Sequence, residues 1–92
     1  MDIIRVSAMR SGAITVDGSP ATLANLRTAL SRLSAHHGAV WYYREEPEHE
    51  PNEQQFDVFK AIIDARVPVS LSTKPDFSDA VGADGQPHPR NQ

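Results

Sequence analysis

Two stretches with the three- and four-residue apolar spacing of a helix are separated by a strand-like run of aromatics, and strand-like runs also precede the first and follow the second. This alternation leaves few folds open, because strands joined through a helix lie parallel and their crossovers are right-handed. In the first helix, predicted over residues 23–35, Leu23, Leu26, Leu30 and Leu33 form one stripe, while Arg27, Thr28, Ser31 and Ser34 fall largely outside it. Thr22 stands where a hydroxyl can accept from the free N–H groups of the first turn, and Gly38 is read as the stop after His36 and His37. The second helix is predicted over 53–65. Asn52 and Gln55 have capping-box spacing, and Phe56, Phe59 and Ile63 share a face flanked by Val58 and Ile62.

Alternation with a period of two predicts strands over 3–8 and 14–17, paired as an antiparallel hairpin through a turn at Arg10, Ser11 and Gly12. Asp17, Gly18, Ser19 and Pro20 are read as the end of that hairpin. Residues 39–43 are rich in β-branched and aromatic side chains and read as a third strand. The last strand is predicted over 67–72, beginning at Pro68 or lying at a sheet edge, because proline has no N–H for a ladder. The order β-β-α-β-α-β predicts an α+β fold: a two-layer sandwich with a small mixed sheet, both helices on one face, and the other face open. Residues 1–79 are expected to form a single domain. Phe77 is expected to pin the chain back onto it, and 80–92, rich in Gly, Pro and polar residues, to form a flexible tail.

A chain of 92 residues can bury only about 60–65% of the surface its unfolded form exposes, so its stability margin is modest. The absence of cysteine removes disulfide frameworks, thiol nucleophiles and thiolate zinc sites. Asp2, Arg5 and Arg10 interrupt the first apolar residues, and no run approaches the length of a membrane span, so no signal peptide, no membrane association and a cytoplasmic setting are expected. Charge is uneven: residues 1–44 carry a net +3 and residues 45–92 a net −6. This balance disfavours nucleic acid, whose phosphates call for a basic stripe, and suits a basic protein partner.

The stretch from Ile14 to Leu30, with its strand, its Asp17 and Gly18 turn and its capped helix of spaced leucines, resembles the start of the extramembrane domain of the ExbD/TolR biopolymer-transport family. The likeness runs over roughly residues 13–73, where the same order of elements recurs through a final Val67, Val69, Leu71 strand. It implies that fold and a tendency to dimerise. The family's membrane helix and its proton-linked residue have no counterpart in this sequence, so the resemblance implies no energy-coupling activity and no functional residue.

The most distinctive segment holds Glu45, Glu46, Glu48, Glu50 and Glu53, stiffened by Pro47 and Pro51. One reading makes it a solvated connection whose last acids favour the N-terminus of the second helix. The other makes Glu45, Glu46, Glu48 and Glu50 a docking surface for a basic protein. The spacing lacks the alternating ligands and central glycine of a calcium loop. Trp41 and Tyr43 are expected to face outward with Arg5, Ser7, Thr15, Ser70 and Ser72, as a surface for a second copy of the chain or another partner unless the tail covers them. His36 and His37 point about 100° apart on a helix, which disfavours a shared metal. No nucleophile elbow, phosphate loop or facing pair of acids is present, and no cofactor is expected. The function expected is therefore non-catalytic protein binding. The alternative is a small enzyme or ligand-binding domain with a pocket beside the acidic loop, in which His49, Glu46 and Ser or Thr side chains converge.

Overall fold

The computed structural model describes residues 2–90, so Met1 and positions 91 and 92 of the expected tail lie outside the described residues. The elements are β1 (Ile3–Ala8), β2 (Ile14–Val16), β3 (Ser19–Ala21), α1 (Leu23–Ala35), β4 (Ala39–Arg44), α2 (Glu53–Asp64), β5 (Val69–Ser72), β6 (Asp79–Val81) and β7 (Pro87–Pro89). Five strands form one mixed sheet in the order β3-β2-β1-β4-β5, and β6 pairs with β7 in a separate two-stranded sheet. The parallel steps from β1 to β4 and from β4 to β5 run in the same direction across the sheet. Right-handed crossovers then bring α1 and α2 to one face, where they touch each other.

Register sorts the side chains by face. Val16, Val6, Tyr42 and Leu71 lie in one row across four strands on the helix side, and Thr15, Ser7, Tyr43 and Ser72 lie in the neighbouring row on the reverse side. Val6, Val40, Leu26, Leu30 and Ile62 are almost fully enclosed between sheet and helices. Each such aliphatic side chain contributes about 1.5–3 kcal/mol by leaving water.

Local signals account for the helix ends. Thr22 and Asn25 form a complete capping box on α1, and Asn52 and Gln55 form one on α2. At the end of α1 the left-handed position is taken by His37 (φ 57°), not by Gly38. The Gly38 N–H donates to the Leu33 carbonyl at 2.9 Å and the His37 N–H to that of Ser34 at 3.2 Å, a Schellman closure. Gly38 serves close approach instead: a Cβ there would stand 2.7 Å from the Asp2 carbonyl oxygen and 2.1 Å from a Leu33 methyl.

Three expectations change. Ser19 and Pro20 do not end the first hairpin but belong to a third antiparallel strand, with Pro20 opposite Thr15. Proline is tolerated there because β3 is an edge strand and needs no second ladder partner. Residues 79–89, for the most part assigned above to a flexible tail, form the β6–β7 hairpin, turned at Gly85 (φ 78°). The α2 stripe facing the sheet is Gln55, Val58, Ala61 and Ile62, about one residue's rotation from the one centred on Phe56, Phe59 and Ile63. β5 starts after Pro68 and lies at the sheet edge, and Phe77 is buried, both as the sequence implies.

Candidate functional site

The acidic loop leaves the carboxyl end of β4 and enters α2, and its course is set by three polar side chains beneath it. Gln55 is 1% exposed. Its Nε2 donates to the carbonyls of Ala8 and Glu45, each at 3.1 Å, while its Oε1 accepts from the Asn52 N–H at 3.1 Å. Arg44 reaches back to its own loop, where Nη2 donates to the carbonyls of Pro47 and His49, both at 2.7 Å. Arg10, in the β1–β2 turn, donates through Nη1 to the Glu50 carbonyl at 2.8 Å and through its backbone N–H to Glu45 Oε1 at 2.8 Å. Asn52 Nδ2 returns a bond to the Arg10 carbonyl at 2.8 Å.

These bonds hold the backbone and leave most of the acids outside. Glu45 is half-buried and acts as an acceptor within the fold, whereas Glu46, Glu48 and Glu50 are exposed. Glu46 pairs with the Arg10 guanidinium at 3.5 Å and Glu48 approaches the His49 ring at 3.7 Å, both in solvent, where such pairs contribute little. Among the described residues Glu50 has no ion pair. Burial pushes the Tyr43 hydroxyl above its ordinary pKa, with Glu45, Glu48 and Glu46 adding to the shift. The Tyr42 hydroxyl is raised to about 12 by burial, opposed by Arg44. Neither phenol ionises near neutrality.

Beside the loop lies a cavity of about 360 Å³, between the outer flank of α2, the end of β5 and the β6–β7 hairpin. Pro47 and Pro51 wall one side, Phe56 and Phe59 another, and Leu71 and Val81 a third. Tyr42 lies against Phe59 with ring centroids 5.3 Å apart. Of the polar side chains on the lining residues, most groups are already engaged. Gln55 and Arg44 hold the loop, Ser72 Oγ donates to the Asp79 carbonyl at 2.8 Å, and the Thr73 hydroxyl donates to the Asp79 carboxylate. The Arg44 Nε is buried without a partner among the described residues. Phe56 and Leu71 nevertheless remain 55% and 39% exposed, and Ile63, two turns along α2 from Phe56, 48%. The sequence spacing groups Phe56 and Ile63 with Phe59 on the face expected to pack. The signal that could have found them is the excess of large apolar residues on α2 over what one sheet-facing stripe can hold.

Neither His49 nor Glu46 lines the cavity, so the converging acid, base and hydroxyl of the enzyme alternative are not assembled there. His36 and His37 are exposed at the end of α1. Among the described residues no three His, Asp or Glu side chains are grouped closely enough to hold a metal ion.

Trp41 and Tyr43 do project onto the reverse face, but this face is not open. The Arg90 guanidinium lies 3.9 Å from the Trp41 ring centre, and that of Arg5 lies 4.7 Å from it. Arg90 also donates to Ser72 Oγ at 2.7 Å, Ser70 Oγ at 3.1 Å and the Phe77 carbonyl at 2.9 Å. Trp41 is half-buried and Tyr43 buried. Arg90, in the segment read as a tail, thus covers Trp41, fastened by polar and cation–π contacts. No protein-family model and no curated protein sequence matches this chain. Among the described residues no helix is long and apolar enough to cross a membrane.

Proposed function

We propose that the chain is a non-catalytic protein-binding module whose docking element is the acidic loop, and that its partner is basic. The observation that carries this reading is the division of labour in the loop. Arg10, Arg44 and Gln55 hold its backbone through carbonyl groups, while Glu46, Glu48 and Glu50 stay in solvent. A charged surface held in advance loses little conformational entropy on binding and steers an oppositely charged partner toward it. Self-association through Trp41 and Tyr43 is less well supported, because Arg90 already occupies that face. The ExbD/TolR resemblance remains our proposal for the ancestry of the fold and carries no residue of the site.

The test is affinity capture with the wild-type chain and with a Glu46→Lys, Glu48→Lys, Glu50→Lys variant, leaving Glu45 intact because it accepts a bond from Arg10. Loss of a specific basic prey on charge reversal, with an unchanged melting curve, supports the reading. Equal recovery of the prey by both chains overturns it.

A further inference from the structure

We propose that the cavity beside the acidic loop is the anchor pocket of this interface, receiving apolar side chains from a lysine- or arginine-rich segment of the partner protein. The inference rests on the loop reading above and specifies what the partner must carry. Phe56 and Leu71, at 55% and 39% exposure, lie on two sides of the cavity, and Ile63 at 48% extends the same α2 stripe. Large apolar side chains grouped in this way mark a binding surface, where a single scattered one would not. They are also in excess of the core, because α2 already meets the sheet through Gln55, Val58, Ala61 and Ile62. A cavity of about 360 Å³ lies within the size range of built ligand sites.

Recognition within the pocket is apolar. Its Ser72, Thr73 and Gln55 side chains are occupied by the fold, and Arg44 spends Nη2 on the Pro47 and His49 carbonyls, which leaves its Nε as the one buried side-chain group of the lining without a partner among the described residues. Recognition at its rim is electrostatic. The wall between Pro47 and Pro51 carries the exposed Glu48 and Glu50, and Asp57 follows Phe56 on α2. Lys60, one turn further along α2, is tied to Asp64 at 3.0 Å. An apolar anchor flanked by cations satisfies both parts, whereas an uncharged small ligand would use only the pocket and an acidic peptide would be repelled by the rim.

The experiment is an NMR titration of the 15N-labelled full chain with a short amphipathic peptide of lysine and leucine, alongside two controls. One control replaces each leucine by serine and the other each lysine by glutamate. The lysine–leucine peptide is expected to shift the amides of Phe56, Leu71 and Ser72 together with those of 46–50. Leu71→Ser or Phe56→Ser is expected to weaken its binding about tenfold, equivalent to about 1.4 kcal/mol. Both positions are exposed, so either variant serves if the other fails to fold. Shifts confined to the loop and insensitive to Leu71→Ser overturn the pocket proposal but leave the loop reading standing. Pocket shifts that survive Glu48→Lys, Glu50→Lys, or that the glutamate–leucine peptide reproduces, overturn the basic-partner reading itself. Pocket shifts that appear on concentration alone point to a second copy and overturn the proposal, as does the absence of any pocket shift at millimolar lysine–leucine peptide.

Discussion

α1 and α2 are of nearly equal length, start with the same kind of capping box and cross the same sheet face, yet they use their apolar residues differently. α1 buries Leu26, Leu30 and Leu33 in one narrow stripe and leaves no large apolar side chain exposed among the described residues. α2 buries medium-sized Val58, Ala61 and Ile62 with a fully enclosed Gln55, and leaves Phe56 and Ile63 outside. The difference separates apolar side chains that hold the fold from those available to a partner. Removing the first should destabilise the protein; removing the second should not.

Leu30→Ala should break the α1 side of this contrast most severely, by about 2–5 kcal/mol, since the side chain is 1% exposed and the space it leaves collapses only in part. Chemical denaturation checks this, and a loss below 1 kcal/mol would mean that α1 is not a structural helix in the sense argued. Gln55→Leu keeps the volume but strips the partner from the Glu45 carbonyl and from the Asn52 N–H, while the Ala8 carbonyl keeps the bond from the Glu45 N–H. A buried polar group left unpaired costs about 1–3 kcal/mol, and here the acidic loop should also lose its fixed course. Amide exchange over residues 45–52 should rise markedly in this variant. Unaltered protection there would show that Arg10 and Arg44 suffice.

The reverse face provides a pH test of an attachment that is polar instead of apolar. Burial alone would raise the Asp79 pKa, but bonds from the Thr73 hydroxyl and N–H, with Lys74 and its backbone N–H nearby, hold it below the ordinary carboxylate value. A depressed folded-state pKa stabilises the fold above the unfolded value of about 3.9, and that contribution is lost as pH falls through the folded value. Emission from Trp41, the single tryptophan, should therefore change as acid loosens the β6–β7 hairpin and Arg90 below about pH 4. Emission that is flat down to about pH 2 would show that Asp79 does not hold the hairpin in place. The smallest effect is expected at Phe56→Ser, within about 0.5 kcal/mol of wild type, as befits an exposed position. A larger loss would return Phe56 to the core and remove the basis for the pocket.

Much of the architecture was legible in the residues. Thr22 and Asn52 mark the helix starts, the leucine spacing of α1 names its buried face, and Pro68 forecasts an edge strand. The site was legible only in part. Glu46, Glu48 and Glu50 are exposed as their charge suggests, whereas the pocket depends on residues that periodicity assigned to the interior. Apolar residues at 56, 58, 59, 61, 62 and 63 cover so much of the α2 circumference that spacing does not select one face. The hairpin is not legible in residues 80–92 because its fastening is polar, through Asp79 and Arg90, and a count of apolar surface registers none of it.

The sequence alone determined the periods, the caps and the order of elements, because these depend on neighbours within a few residues. Only the tertiary structure decided the rotation of α2, the burial of Gln55 and the closing of the reverse face by Arg90. Each of these depends on where distant unpaired groups fall. The Ala8 carbonyl at the end of β1 already accepts the Glu45 N–H, but the Glu45 carbonyl just past β4 takes its donor from Gln55, and turning the helix to supply it sends Phe56 and Ile63 into solvent.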